Sequence, residues 1–230
     1  MLKYYELICT VYLKENIHFV GVGEFIGKHI NYTMTKDEKL KELHSEHNIK
    51  MYCFDYLFPR EYDKTYKKGS VYVFKIRTPK EELAKKFRRV ITQYESIYMK
   101  CLGCQLKIIN LGTFDEIYTV TPALATFGKR YWTVENDFEE LQDRIINNLS
   151  KKYKFITGEN LNADSNDIQF IDIKNKVPIK QRYKESSLIC NKFKITFAKN
   201  ENGRKLAYSA LSCGLLEKSS ALGLGFVISK

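Results

Sequence analysis

The segment from Lys3 to Leu13, KYYELICTVYL, sets Tyr5, Leu7, Cys9, Val11 and Leu13 on one face and Tyr4, Glu6, Ile8, Thr10 and Tyr12 on the other. A repeat of two, rich in aromatic and β-branched residues, is the signature of a strand, because successive side chains of extended backbone point to opposite faces. Residues 51–57 (MYCFDYL), 70–77 (SVYVFKIR) and 105–111 (QLKIINL) carry the same signature. Between them the sequence predicts a helix over 23–43, broken near 32–35, and a second after Pro79. In that second helix Leu83, Phe87, Val90 and Ile91 form an apolar stripe with Lys85, Lys86, Arg88 and Arg89 outside it. The order is βαββαβ, the ferredoxin-like pattern that RNA-recognition modules also use.

A second series follows. Strand-like residues 116–121 precede Pro122, Thr133 is placed to cap a helix, and Phe138, Leu141, Ile145 and Leu149 keep helical spacing until Lys151 and Lys152 end the run. Strands are expected at 168–173 and 193–197, a short helix at 204–213, and a strand at 226–229 after a Gly-rich turn. No Pro/Gly/Ser-rich linker separates the two series. The expected fold is therefore α+β: two tandem ferredoxin-like (RRM-like) βαββαβ domains packed together, residues 1–114 and 115–230.

At 230 residues, 44% of them hydrophobic and 13% aromatic, the chain is long enough to bury a core in each half. Its 38 Lys and Arg against 27 Asp and Glu give a net charge of +11, which favours a polyanionic partner. A membrane is the rival explanation of that charge. No stretch approaches the ~20 apolar residues that span a bilayer, and no charged-then-apolar leader opens the chain, so a cytoplasmic protein with no membrane partner is expected. The six cysteines fall in apolar patterns and read as reduced core thiols. Cys101 and Cys104 have metal-ligand spacing, but no second ligand pair follows, so neither a metal nor a cofactor is expected.

The four histidines, His18, His29, His44 and His47, lie within the first fifty residues. His18, beside Phe19, reads as structural or exposed. His29, His44 and His47 flank the first predicted helix, and Lys50 follows. RNA is cut without a metal when its own 2′-OH attacks the adjacent phosphate in line. That reaction needs one group to take the proton, one to protonate the leaving 5′-oxygen, and a cation near the developing charge. Two histidines and a lysine form such a set, although each alone is better read as a solvated side chain. Metal-dependent nucleases need clustered carboxylates or an HExxH pair, and the sequence has neither.

Near the C-terminus, Gly214-Leu-Leu-Glu217-Lys218-Ser219-Ser220-Ala-Leu-Gly223-Leu-Gly225-Phe226 combines three glycines, two hydroxyls and a lysine between a helix and a strand. Such a turn can offer N–H groups, hydroxyls and an ammonium to phosphate, and it can also do no more than close a hairpin. It resembles the glycine-rich motif of the CRISPR-associated repeat-processing endoribonucleases of the RAMP superfamily. Leu43-His44, with Lys50 six residues on and then Met51-Tyr-Cys-Phe54, is similar to that family's Leu-His block, and Thr119-Val-Thr-Pro122 to the segment opening its second domain.

The resemblance implies two ferredoxin-like domains, CRISPR repeat RNA (precursor crRNA) as partner, and cleavage that leaves 2′,3′-cyclic phosphate and 5′-OH ends. It implies a catalytic His44 assisted by Lys50, with His29 at the place where the family often has a catalytic Tyr. Gly214, Glu217, Lys218, Ser219, Ser220, Gly223 and Gly225 would bind RNA. His47, three residues after His44, is the alternative principal catalyst. Leu216 stands where the family has glycine, and Ala221 is one extra residue in the loop. The chain would act as a monomer or homodimer, with effector-complex subunits as further partners. Two other readings remain open: a repeat-RNA-binding subunit of an effector complex that does not cut, and a general single-strand RNA binder with aromatic residues exposed on a sheet.

Overall fold

The structure, a computed structural model, describes residues 2–45, 48–112 and 116–229. In the first half the order is β1 (Lys3–Leu13), β2 (Ile17–His18), α1 (Val22–Met34), α2 (Glu38–Ser45), β3 (Cys53–Phe54), β4 (Thr65–Tyr66), β5 (Val71–Thr78), α3 (Glu81–Gln93) and β6 (Met99–Asn110). The second half holds β7 (Glu116–Thr119), β8 (Thr126–Phe127), β9 (Arg130–Tyr131), α4 (Phe138–Thr157), β10 (Ile168–Ile173), β11 (Ile179–Tyr183), β12 (Ser186–Cys190), β13 (Phe193–Phe197), α5 (Glu201–Cys213), α6 (Ser219–Leu222) and β14 (Val227–Ser229).

Each half builds one antiparallel four-stranded sheet, in the order β3-β5-β1-β6 and β10-β13-β7-β14. Both put the first strand of the series beside the third and the fourth, which is the ferredoxin-like arrangement expected from the sequence. Leu7, Cys9, Val11 and Leu13 on one face of β1 are fully buried in the first core, with Ile26, Ile30, Phe74, Phe87 and Ile91. The second core gathers Leu141, Ile145 and Leu149 of α4, Phe193 and Ile195 of β13, and Leu206, Ala210 and Leu211 of α5.

Several local expectations change. The first helix breaks at 35–37, and the Asp37 carboxylate accepts from Leu40 N–H at 3.0 Å to start α2. Residues 51–57 pair only at Cys53–Phe54, with a further bridge from Phe58 to Val73. The cap of α4 is Asp137, which accepts from Glu139 N–H at 2.8 Å, while Thr133 bonds Asn136. Lys151 and Lys152 do not end α4; it runs to Thr157 and stops at Gly158, whose φ of 83° no side chain adopts readily. Asn200 caps α5, which starts at Glu201, three residues before the expected start at 204. The hairpin β11–β12, of mixed polarity, was not foreseen. The expected boundary between residues 114 and 115 falls within the stretch 113–115, outside the described residues.

The halves meet over a seam of side chains bonded to backbone. The outer face of β1 is not solvated at its start: Tyr4 packs in the second core and Glu6 is buried. Glu6 accepts from Arg77 Nε at 2.7 Å, and Arg77 in turn donates to the carbonyl of Val227 at 2.6 Å and stacks over Phe226. Tyr208 donates to Lys3 O at 3.0 Å, and Lys80 to Ile156 O at 2.8 Å. Leu188 and Cys190 of the β11–β12 hairpin enter the first core, where Tyr56 donates to Gln181 Oε1 at 3.0 Å. Gly23 and Gly27, one turn apart on α1, lie against the carbonyls of Leu222 and Ala221 so closely that a Cβ at either would collide.

Two outcomes follow from the seam. Arg77→Ala leaves the buried Glu6 carboxylate with the more distant Lys75, at 3.6 Å, in place of its closest partner, and should cost about 3–5 kcal/mol by urea denaturation, whereas Arg77→Met combined with Glu6→Gln should recover part of that loss. Gly27→Ala should lower stability by about 1–3 kcal/mol through forced displacement of α1. Gly103→Ala, where an added Cβ meets nothing within 4 Å, is the control.

Candidate nucleic-acid interface

The segment joining α5 to β14 is held from three sides, and its shape follows from those contacts. Gly214, Gly223 and Gly225 have φ of 81°, 64° and 67°, the left-handed region that glycine enters without strain. All three are buried, with Gly223 against Phe54 and Gly225 against the carbonyl of Leu215. They serve close packing and are not among the residues that line the cleft between this loop and the chain after α2. Leu216 and Lys218 also adopt left-handed φ, 61° and 59°, at a cost of roughly 1–2 kcal/mol each. Leu216 thus holds a backbone conformation that glycine would adopt without strain.

Glu217 holds the loop from the side of α4. Its carboxylate accepts from Arg144 Nε at 3.2 Å and from Thr126 Oγ1 at 2.6 Å, so it anchors the loop to α4 and β8. Lys152 reaches under the same loop and donates to Gly214 O at 2.6 Å and Leu216 O at 2.8 Å. Burial depresses its pKa from the ordinary 10.5 to about 8, with the Cys213 and Cys53 thiols and Glu217 opposing the shift. The ammonium sits between the two halves, on the floor of the loop.

Between the loop and the chain after α2 lies a cleft of about 300 Å³, lined by Asn48, Lys50, Tyr52, Asn148, Lys152, Lys218, Ser219 and Ser220. The structure therefore brings together Lys50, Glu217, Lys218, Ser219 and Ser220, five of the residues singled out from the sequence. Lys50 Nζ donates to the carbonyls of Leu43 and His44, the latter at 2.9 Å, so it caps the negative end of α2 while lining the cleft. Lys218 is exposed, its Nζ 4.6 Å from the centre of the Tyr183 ring. Ser219 Oγ and Asn148 Oδ1 are buried and have no hydrogen-bond partner among the described residues.

His44 is exposed in the last turn of α2, beside the cleft through its carbonyl bond to Lys50. His47 lies outside the described residues. His29 is elsewhere: it is wholly buried on the core face of α1, its Nδ1 3.0 Å from Ser96 Oγ. Burial, and secondarily the charge of Lys14, lowers its pKa to about 4. A ring enclosed in this way cannot reach a phosphate, which corrects the expected pairing of His29 with His44. His18 is exposed and accepts from Val20 N–H at 3.3 Å. Cys101 and Cys104 lie on β6 facing Cys9, with the Sγ atoms of Cys9 and Cys104 3.5 Å apart.

A second cleft, about 660 Å³, opens along the other side of the seam and went unnoticed in the sequence. Phe19, Tyr56, Phe58, Arg60, Lys75, Lys192 and Ile228 line it, Arg60 stacking over Phe19 at 3.9 Å and Phe58 being largely exposed. Cations interleaved with aromatic rings suit single-stranded nucleic acid. Asp55 also lines this cleft, its pKa raised to about 7 by burial.

No family model matches the chain. Among curated proteins it is 24% identical over 234 residues, 93% of this chain and 95% of the relative, to the CRISPR-associated endoribonuclease Cas6 2 of Methanocaldococcus jannaschii. Among solved structures, a RAMP protein described as binding different RNA substrates superimposes with a TM-score of 0.74 at 18% identity, covering 98% of this chain and 99% of that one. A CRISPR-associated Cas6 protein superimposes with a TM-score of 0.73 at 15% identity, covering 99% of both. Over nearly its whole length the chain is thus similar to the CRISPR-associated Cas6 endoribonucleases, and it carries the tandem ferredoxin-like fold of the RAMP proteins.

Proposed function

We propose that the chain is an endoribonuclease that binds CRISPR repeat RNA and cuts the precursor beside the cleft between α2 and the glycine-rich loop, without a metal. The observation that carries this reading is the convergence of Lys50, Lys218, Ser219 and Ser220 on one cleft adjoining His44. The full-length similarity to a named endoribonuclease supports the same conclusion.

In this mechanism Lys218 and the hydroxyls of Ser219 and Ser220 hold the phosphate, and the loop's fixed backbone spares the reorganisation that a mobile loop would require. Lys50, held in place at the end of α2, supplies positive charge for the phosphorane. His44 transfers the proton at the 2′-OH or at the 5′-oxygen, and His47 is the other candidate for proton transfer. The products would be a 2′,3′-cyclic phosphate and a 5′-OH. His29 contributes packing. The second cleft, with its aromatic and cationic lining, suits an unpaired stretch of the same RNA.

The deciding experiment incubates the protein with its cognate repeat RNA in excess EDTA. Cleavage to a cyclic phosphate is expected. Loss of cleavage in EDTA overturns the metal-free part, and binding without any cleavage favours a guide-RNA-binding subunit. His44→Ala should slow cleavage roughly 100- to 10,000-fold while leaving RNA affinity nearly unchanged. An equal loss of both would remove His44 from the chemistry.

His29→Gln, which retains a hydrogen-bonding group toward Ser96, should leave single-turnover cleavage within about threefold of the parent. A loss as large as that of His44→Ala would return His29 to the site. Because the folded-state pKa of His29 lies near 4, below the ordinary 6.5, its contribution to stability is present above pH 6.5 and is lost as pH falls toward 4. The acid limb of the unfolding midpoint should weaken in His29→Gln.

A further inference from the structure

We propose that Lys152 is the positioning residue of the glycine-rich loop: its ammonium draws the carbonyls of Gly214 and Leu216 inward and so fixes the turn that offers Lys218, Ser219 and Ser220 to an RNA phosphate. The inference rests on the RNA-binding reading of the cleft given above. It assigns to α4, an element of the second half, a direct hold on the binding loop.

The geometry is specific. Within five residues the loop takes left-handed φ at Gly214, Leu216 and Lys218. Side-chain-bearing residues persist in that conformation only where surrounding contacts over-determine it. The two carbonyls that converge on Lys152 belong to Gly214 and Leu216, so the ammonium grips the backbone where it is most contorted. Lys152 Nζ lies 62 and 64 residues away in sequence, on a helix capped at both ends, and is therefore a rigid support.

The chemistry also distinguishes Lys152 from a mere filler. A buried ammonium is costly, and an unbranched methionine, one atom shorter, would fill most of the space without that cost. Two of its three donors are placed on the loop, and the residue lines the cleft beneath Ser219 and Asn148, whose buried oxygens have no partner among the described residues. The groups facing it are the thiols of Cys213 on α5 and Cys53 on β3, and Glu217 of the loop; Lys50 and Lys218 line the cleft with it. Burial raises both thiol pKa values, that of Cys213 to about 11, so neither thiol changes charge between pH 7 and 9 over the range where Lys152 titrates.

This arrangement separates affinity from stability. With a folded-state pKa near 8 and an ordinary value of 10.5, Lys152 is protonated in the unfolded chain and increasingly neutral in the folded one as pH rises between them. Its contribution to stability therefore rises with pH in that window. Its hold on the loop carbonyls weakens over the same interval, because a neutral amine makes hydrogen bonds roughly half as strong as an ammonium. RNA affinity should fall while stability rises.

The test uses the full chain, Lys152→Met and Lys152→Arg. Hydrogen exchange of amides 214–222 without RNA reads the loop, fluorescence anisotropy with cognate repeat RNA from pH 6.5 to 9.5 reads binding, and urea denaturation reads stability. Lys152→Met is expected to speed loop exchange and weaken binding by about tenfold or more at pH 7, and to lack the fall in affinity between pH 7 and 9 that is expected of the parent. Lys152→Arg keeps its charge throughout this range, so it should bind with no such fall, and it carries the test if the methionine variant does not fold. Unchanged loop exchange in Lys152→Met, or affinity and stability falling together with the parental pH profile intact, overturns the proposal. If the parent does not bind repeat RNA at all, the functional reading fails, and loop exchange still decides the role of Lys152.

Discussion

The ion pair of Glu6 and Arg77 is the constraint on which the two-sheet arrangement depends. Both groups are removed from water, and through Arg77 the pair serves both halves of the molecule. Glu6 stands on the first strand of the first sheet, and Arg77 on its neighbour β5. Beyond the carboxylate, the guanidinium reaches the last strand of the second sheet through Val227 O and lies over the ring of Phe226. A planar fork with fixed donors suits a junction where carboxylate, carbonyl and aromatic face meet, and a flexible ammonium would not replace it. With the sheets so joined, the segment before β14 must pass close to α1 and β3.

That passage creates the candidate site. The glycines of α1 allow the segment to approach, Phe54 meets Gly223, and Glu217 and Lys152 tie the loop to α4. Little of the loop's chemistry points outward. Its glycines are consumed in holding it, and Glu217 is tied to Arg144 and Thr126 while lining the cleft with Lys218, Ser219 and Ser220. Motif residues thus divide into those that only shape the backbone and those that also line the cleft, a division that sequence spacing does not reveal.

Much of the fold was legible because its signals are local. The alternation of β1, the apolar stripe of α3 and the sequence order of strands and helices were sufficient to give both sheets. What was misread depended on distant partners. Lys152 looks like a helix stop because lysine is charged, yet it follows Ile145 and Leu149 on the buried stripe of α4, and only carbonyls far along the chain make its burial tolerable. His29 carried a signal that was available: it falls among Val22, Ile26, Ile30 and Thr33 on the buried face of α1, and that periodicity outweighs its acid/base capacity. Thr133 lost the cap to Asp137 because both residue types serve equally in a pattern, and only geometry chooses. The polar hairpin β11–β12 has no hydrophobic alternation strong enough to announce it.

That hairpin has a consequence for the making of the protein. Leu188 and Cys190 lie in the first core, although nearly the whole first sheet is already synthesised by residue 110. On a ribosome, the first half emerges with part of its apolar surface uncovered and waits for about eighty more residues at roughly 5–20 residues per second, several seconds in all. The two halves are similar in architecture yet interleaved in assembly, so the completed molecule should behave as one cooperative unit, and its nascent first half as a client for chaperones.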